Sequence, residues 1–110
     1  SVLIVEDDKS SSIYLSRLLE SIGVTVRTAV TGKEAVDIFR ALPGFDLVLL
    51  DVRLPDASGL DVIKDLKRIN SRVPVIAQTA FAMMGDEKKC YDAGFDDYIA
   101  KPIPKDLLVE

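Results

Sequence analysis

The sequence contains no histidine, one cysteine and no long apolar run, and each of these absences excludes a class of function. Without histidine the chain has no imidazole for acid–base catalysis or metal binding, and no phosphohistidine can form in it. Cys90, the single cysteine, cannot form an internal disulfide, which fits a reducing compartment. No run reaches the roughly 18 apolar residues of a membrane span and no signal peptide opens the chain, so we expect a cytoplasmic domain without membrane contact.

Length and charge restrict the domain organisation and the partners. The chain has 110 residues, of which 48% are hydrophobic and 29% are charged, and its formal net charge is −4. These values are typical of one globular domain, and we assign residues 1–110 to it because no linker, repeat or low-complexity tract interrupts them. The acidic balance provides no basic surface, so we expect no direct contact with nucleic acid.

Strand and helix patterns alternate along the whole chain. Short apolar and β-branched runs predict strands at 2–5, 24–28, 47–50, 75–77 and 98–100. Apolar residues at helical spacing within 15–22, 35–42 and 62–69 predict three helices, and further helices are predicted at 83–93 and from near Pro104, the last one cut off at Glu110. Thr31 with Glu34 forms a T-x-x-E capping box, and Ser58 can cap the third helix. This alternation predicts an α/β fold in which helices cover both faces of a five-stranded parallel sheet.

Polar and charged residues stand where the predicted strands end. Strand one runs into Glu6-Asp7-Asp8, strand three into Asp51, strand four into Thr79 and strand five into Lys101. In open α/β sheets the carboxyl ends of the strands share one edge, and binding sites lie there. We therefore predict a site at this edge, in which the Pro/Gly-containing loop after Asp51 exposes that acid and bends the backbone back beside it.

The acids at this edge need a counter-charge if the fold brings them together. At a separation of about 5 Å, each pair among Glu6, Asp7 and Asp51 repels by about 3 kcal/mol at an effective dielectric near 20. Lys101 supplies one positive charge, and a Mg²⁺ (or Mn²⁺) ion would supply two more, because such hard cations prefer oxygen ligands. An alternative is that the acids after strand one only cap the first helix. This account suits Asp8, but it leaves an acid at the end of the most apolar strand unexplained.

With these residues in place, the chain resembles the receiver domain of two-component response regulators from Val2 to Leu108. The matching stretches, in order, are Ile4–Asp8, Leu50–Pro55 with Gly59, Thr79-Ala80 and Asp97–Pro102. The resemblance implies a flavodoxin-like, doubly wound sheet with strand order 2-1-3-4-5. The stretches 81–86 and 101–103 look like those of receivers fused to hybrid sensor histidine kinases, a fusion that would make the domain the cytoplasmic part of a larger membrane-bound protein.

The resemblance also implies the chemistry of the site. In receiver domains the aspartate at the position of Asp51 accepts a phosphoryl group from a histidine kinase or a phosphotransfer protein. By the same resemblance, Asp7 and Asp51 bind Mg²⁺ directly, Glu6 binds it through water, and the backbone carbonyl of Arg53 completes the protein ligands. Such a domain assists its own phosphorylation and dephosphorylation and is not a turnover enzyme on an external substrate.

Further residues receive roles from the resemblance. Lys101 contacts the phosphoryl oxygens, and Thr79 and Tyr98 form a switch that changes the surface of helix four, strand five and helix five. From the residues alone, a lone threonine such as Thr79 is usually an ordinary strand residue, and Tyr98 is most simply a packing residue on an edge strand. The resemblance places Arg53 and Phe81 at the mouth of the site. Neither side chain accepts a hydrogen bond from an attacking water, so we expect slow self-dephosphorylation, although a Phe81 that only packs beside helix four is an alternative.

The residues present argue against two other functions of α/β domains. A phosphohydrolase of the haloacid dehalogenase type needs a second acid two residues after its nucleophilic aspartate, and Arg53 stands at that position. A flavin carrier needs a Ser/Thr/Gly loop after strand one, whereas Glu6-Asp7-Asp8 would repel the cofactor phosphate. A pseudo-receiver that acts by protein–protein interaction without phosphorylation is left open by the sequence.

Overall fold

The computed structural model describes residues 1–42, 44–52, 54–56, 58–79 and 86–100, and strands and helices alternate along them. The elements are β1 (Val2–Val5), α1 (Lys9–Glu20), β2 (Val26–Ala29), α2 (Gly32–Ala41), β3 (Leu47–Asp51), α3 (Gly59–Ile69), β4 (Val75–Thr79), α4 (Asp86–Ala93) and β5 (Asp97–Ala100). Residues 83–85 of the predicted fourth helix and the predicted last helix lie outside these ranges. No helix within them is both long and apolar enough to span a lipid bilayer.

The five described strands are all parallel and form one sheet in the order β2-β1-β3-β4-β5. The predicted doubly wound sheet with strand order 2-1-3-4-5 is therefore confirmed. β1 and β3 lie at its centre, where all of β1 and residues 48–51 of β3 are buried. Because these strands are covered on both faces, both are continuous apolar runs up to the acids that end them.

Separate apolar clusters cover the two faces of the sheet. The larger one contains residues of α2, α3 and α4, and the smaller one contains residues of α1. Leu49 of β3 belongs to the smaller cluster, and Ile76 of β4 packs against it. Side chains two positions apart on a strand point to the same face. Asp51 lies two positions after Leu49, and Gln78 lies two positions after Ile76. Both therefore lie on the face that α1 covers.

The helix starts agree with the predicted caps. In each of three helices a side chain accepts a hydrogen bond from a backbone N–H of the first turn. The Asp8 side chain accepts from Ser10, that of Thr31 from Glu34, and that of Ser58 from Leu60. Each cap satisfies one of the N–H groups that the first turn of a helix leaves without an intrahelical partner. The sequence therefore locates these three starts correctly.

Two predicted boundaries on the α1 side of the molecule are wrong. α1 ends at Glu20, so Ile22 does not lie on its buried face and is 53% exposed. The chain leaves the helix through Gly23, whose φ of 87° is a conformation that glycine adopts without strain. The edge strand is β2, Val26–Ala29, rather than 24–28, because its register against β1 begins at Val26.

Candidate functional site

Three acidic side chains meet at the carboxyl ends of β1 and β3. The parallel register pairs Val5 with Leu50. The next residues, Glu6 and Asp51, therefore leave neighbouring strands side by side, and Asp7 follows Glu6. One carboxylate oxygen from each of these three acids lies within 4.8 Å of the others. The structure thus brings together the acids that the sequence places at this edge.

The donor set of this cluster suits a hard divalent cation. Glu6 is 2% exposed and Asp51 is 6% exposed, whereas Asp7 is open to solvent. Two unit negative charges 4.8 Å apart repel by about 3 kcal/mol at an effective dielectric near 20. Mg²⁺ prefers carboxylate oxygens and keeps several waters, which the exposed side of the cluster can provide. Glu6, Asp7 and Asp51 are the described residues that would hold such an ion.

Asp8 lies beside the cluster but acts as the cap of α1. Its carboxylate accepts hydrogen bonds from the Ser10 N–H at 3.1 Å and from the Ser11 hydroxyl at 2.9 Å. The Asp8 N–H donates to Glu6 Oε1 at 3.0 Å, which fixes the turn from β1 into α1. The capping account is therefore confirmed for Asp8.

The loop after Asp51 bends back onto the end of β3, as the sequence predicts. The Gly59 N–H donates to the Val52 carbonyl at 2.7 Å. A Cβ atom on Gly59 would lie 2.4 Å from the Asp51 carbonyl oxygen, so no larger residue fits here. The expectation that this loop exposes Asp51 is wrong, because Asp51 ends a central strand with β1 and β4 on its two sides and is 6% exposed.

Asp56, in the same loop, makes a contact that the sequence analysis missed. Its carboxylate accepts hydrogen bonds from the Gly32 N–H at 2.8 Å and from the Lys33 N–H at 3.1 Å. These two bonds lower the pKa of Asp56 below its ordinary value of 3.8, and the bond from Gly32 has the larger effect. Together they outweigh desolvation, which raises the pKa by less. The loop is thereby attached to the first turn of α2. An aspartate after proline indicates a turn, but the sequence does not indicate which helix the aspartate contacts.

Gln78 is a second residue that the sequence analysis missed. It pairs in register with Asp51 on the neighbouring strand and is fully buried. Neither the oxygen nor the nitrogen of its side-chain amide has a hydrogen-bond partner among the described residues. Buried amides are normally hydrogen-bonded, so an amide in this state next to an acidic cluster is unusual. The detectable signal was a polar residue directly after the apolar run of β4.

The other predicted site residues are described only in part. Thr79 ends β4, and its backbone pairs with Ala100 of β5, two positions after Tyr98. The side chain of Thr79 is not among those described. Tyr98 is half-buried and packs against the larger apolar cluster. Arg53, Phe81 and Lys101 lie outside the described residues.

Known proteins share both the sequence pattern and the fold. The family model of the response regulator receiver domain matches residues 2–110. The chain is 43% identical to the polar-differentiation response regulator DivK of Brucella ovis, in an alignment that covers 100% of this chain and 90% of the relative. Two solved structures extend the comparison to three dimensions.

One is the receiver domain of the sensor histidine kinase PA1611 from Pseudomonas aeruginosa PAO1, with a magnesium ion coordinated in its active site cleft. It is 34% identical with a TM-score of 0.88, and 98% of this chain and 89% of that chain are covered. The other is a CheY-like receiver domain protein from Methanospirillum hungatei JF-1, 29% identical with a TM-score of 0.90, over 98% and 86% of the two chains. The chain therefore belongs to the response regulator receiver domain family and is a signalling domain of two-component systems rather than a turnover enzyme.

Proposed function

We propose that this domain is the phosphoacceptor of a cytoplasmic two-component phosphorelay and that Asp51 is the residue phosphorylated. The observation that carries the proposal is the meeting of three carboxylates within 4.8 Å at the ends of the central strands. A purely structural role does not account for them, because acids are rarely buried and these bring like charges together. The phosphoryl group would come from a histidine kinase or phosphotransfer protein, since this chain has no histidine of its own.

In this proposal the phosphoryl group passes in line to the Asp51 carboxylate. One Asp51 oxygen forms a bond to phosphorus while the P–N bond of the donor phosphohistidine breaks, and the electron pair of that bond goes to the imidazole nitrogen. The attacking carboxylate and the phosphoryl group are both anionic, so the step needs charge neutralisation. Bound Mg²⁺ or Mn²⁺ would supply the positive charge, with Asp7 and Asp51 as direct ligands and Glu6 as a ligand through water.

The remaining roles are supported by the resemblance of the sequence to the family. Lys101 would contact the phosphoryl oxygens, and the Arg53 carbonyl would complete the metal ligands. Thr79 and Tyr98 would couple phosphorylation to the surface around α4 and β5. The packing of half-buried Tyr98 against the larger cluster supports this, because a reorientation of the ring would change that surface. Arg53 and Phe81 would make self-dephosphorylation slow, since neither side chain accepts a hydrogen bond from water.

Acetyl phosphate, a donor that needs no kinase, tests the proposal. With Mg²⁺ the wild-type protein should gain the mass of one phosphoryl group, and EDTA or the substitution Asp51→Asn should abolish the gain. Asp8→Asn is the matched control, because Asp8 is an adjacent acid that caps α1 and asparagine is an equally good cap. Labelling of the Asp51→Asn protein would contradict the proposal. A wild-type protein that is never labelled would instead support a pseudo-receiver that acts by protein–protein interaction.

A further inference from the structure

The loop that follows Asp51 is held at its two ends by backbone hydrogen bonds. The Val52 N–H donates to the Gln78 carbonyl at 3.2 Å, which continues the pairing of β3 with β4 beyond the last strand residue. The Gly59 N–H donates to the Val52 carbonyl at 2.7 Å, which closes the loop where α3 begins. These bonds fix where the loop leaves the sheet and where it enters the helix. They do not fix its middle.

Asp56 connects the middle of this loop to α2. Its two carboxylate oxygens accept the Gly32 N–H and the Lys33 N–H, which are 24 and 23 residues away along the sequence. The third N–H of the first turn, that of Glu34, donates to the Thr31 hydroxyl at 3.1 Å. The helix therefore has an ordinary local cap from Thr31 and a second acceptor that comes from a distant loop. An aspartate is already charged at neutral pH, and the two hydrogen bonds from α2 lower the pKa of Asp56 further.

The two contacts at the start of α2 differ in what they can restrain. Thr31 is the residue directly before the helix, so its hydrogen bond stabilises the helix alone. Asp56 lies five positions after Asp51, so its hydrogen bonds also restrain the loop next to the acidic cluster. Because α2 packs on the sheet through its buried residues Ala35 and Phe39, it provides a rigid support for the loop.

We propose that Asp56 is a positioning residue of the cation site: by attaching the loop after Asp51 to α2, it holds the loop backbone where it can complete the coordination begun by the three acids. This inference rests on the proposed function, in which the loop backbone supplies a metal ligand. Residues that orient metal ligands without touching the ion typically change metal affinity by about 10- to 100-fold when removed. Asp56 acts through the loop, so we expect the lower end of this range.

Calorimetric titration with Mg²⁺ tests the inference on the full chain. Asp56→Ala should raise the Mg²⁺ dissociation constant on the order of tenfold. Thr31→Ala is the matched control, because it removes a hydrogen bond from the same helix turn but leaves the loop attached, and its dissociation constant should stay within about twofold of wild type. Asp56→Asn, whose amide oxygen can still accept one N–H, should fall between Asp56→Ala and wild type.

The rate of phosphorylation by acetyl phosphate at increasing Mg²⁺ provides a second readout. If Asp56 positions the cation site, the Asp56→Ala rate should be low at limiting Mg²⁺ and should approach the wild-type rate at saturating Mg²⁺. A deficit of equal size at all Mg²⁺ concentrations, or equal losses of Mg²⁺ affinity in Asp56→Ala and Thr31→Ala, would overturn the inference alone. A wild-type protein that binds no Mg²⁺ would overturn the proposed function and this inference with it.

Discussion

The two edges of the sheet use charged side chains in opposite ways. At the amino ends of the strands, Asp96 accepts a hydrogen bond from Lys67 at 2.7 Å and another from the Val75 N–H at 2.8 Å. Lys67 also donates to the Val73 carbonyl at 2.9 Å, so opposite charges and backbone groups satisfy one another. At the carboxyl ends, three acids lie within 4.8 Å of each other. The amino edge thus pairs opposite charges, whereas the carboxyl edge gathers like charges.

Glycine shows the same contrast between the edges. Gly23, Gly44 and Gly94 all have positive φ, and each lies in a loop that leads from a helix to the amino end of a strand. A Cβ atom on any of these three would meet no heavy atom within 4 Å. At Gly59, on the carboxyl edge, glycine is required for a different reason, because the backbone of Asp51 and Val52 lies too close for a Cβ atom. Glycine thus serves chain reversal at one edge and tight packing around the candidate site at the other.

The largest effect is expected from Gly59→Ala. The added methyl group would lie 2.4 Å from the Asp51 carbonyl oxygen and 2.7 Å from Val52 Cα, and neither backbone atom can move freely. We expect a loss in the free energy of unfolding of about 3 kcal/mol, the upper end of the cost of overpacking. Urea denaturation followed by circular dichroism measures it.

Gly23→Ala is the comparison variant from the amino edge. It creates no clash and only places alanine at a φ of 87°, so its cost should be about 1 kcal/mol. A Gly23→Ala cost equal to or larger than that of Gly59→Ala would break the distinction between the two edges.

A gain in stability is expected from Gln78→Met. Methionine has an unbranched side chain of the same length as glutamine and would replace a buried amide that lacks a partner among the described residues. Removing such a group should raise the free energy of unfolding by about 2 kcal/mol. Urea denaturation again measures the change. Gln78→Glu is the opposite control, because it adds a fourth acid beside the cluster and should lower the free energy of unfolding. A Gln78→Met protein less stable than wild type would show that the amide is hydrogen-bonded in solution.

Neutralising one acid at each edge should have opposite effects. In EDTA, Asp7→Asn should raise the free energy of unfolding by about 1 kcal/mol, because it removes repulsion from carboxylates within 4.8 Å in a solvent-exposed position. Asp96→Asn should lower it by about 1 kcal/mol, a modest value because the Asp96 side chain is 48% exposed and water screens its charge. With saturating Mg²⁺ the Asp7→Asn gain should disappear. Loss of stability in both variants would indicate that the charge of Asp7 stabilises the folded protein and that Asp7 is not a member of a repulsive cluster.

The pH dependence of unfolding gives a control for Asp96. Partial burial raises the pKa of Asp96, but the hydrogen bond from Lys67, the hydrogen bond from the Val75 N–H and the charge of Lys67 together lower it below 3.8. A lowered pKa in the folded state means that the carboxylate stabilises the protein above pH 3.8 and that this contribution is lost as the pH falls through the folded-state pKa. The stability of Asp96→Asn should therefore fall less steeply than that of wild type in this acidic range.

Much of the fold and part of the site could be predicted from the sequence. The apolar runs of β1 and β3 and the caps Asp8, Thr31 and Ser58 depend on local interactions, so local patterns locate them. The end of α1 was predicted wrongly at Ile22, because the helical spacing of apolar residues continues two residues beyond Glu20, where the helix ends, up to the turn at Gly23. The sequence also predicted an exposed Asp51, because a loop signal does not reveal what packs around it.

The sequence by itself determined the order of strands and helices, the family and the set of acids at the strand ends, because each of these follows from residue types at fixed spacings. Only the tertiary structure decided which of these acids are buried, that Gln78 lies beside Asp51, and that Asp56 binds the start of α2. These features depend on the register between neighbouring strands and on how α2 and α3 pack on one face of the sheet. Such contacts join residues more than twenty positions apart, and no local spacing in the chain encodes them.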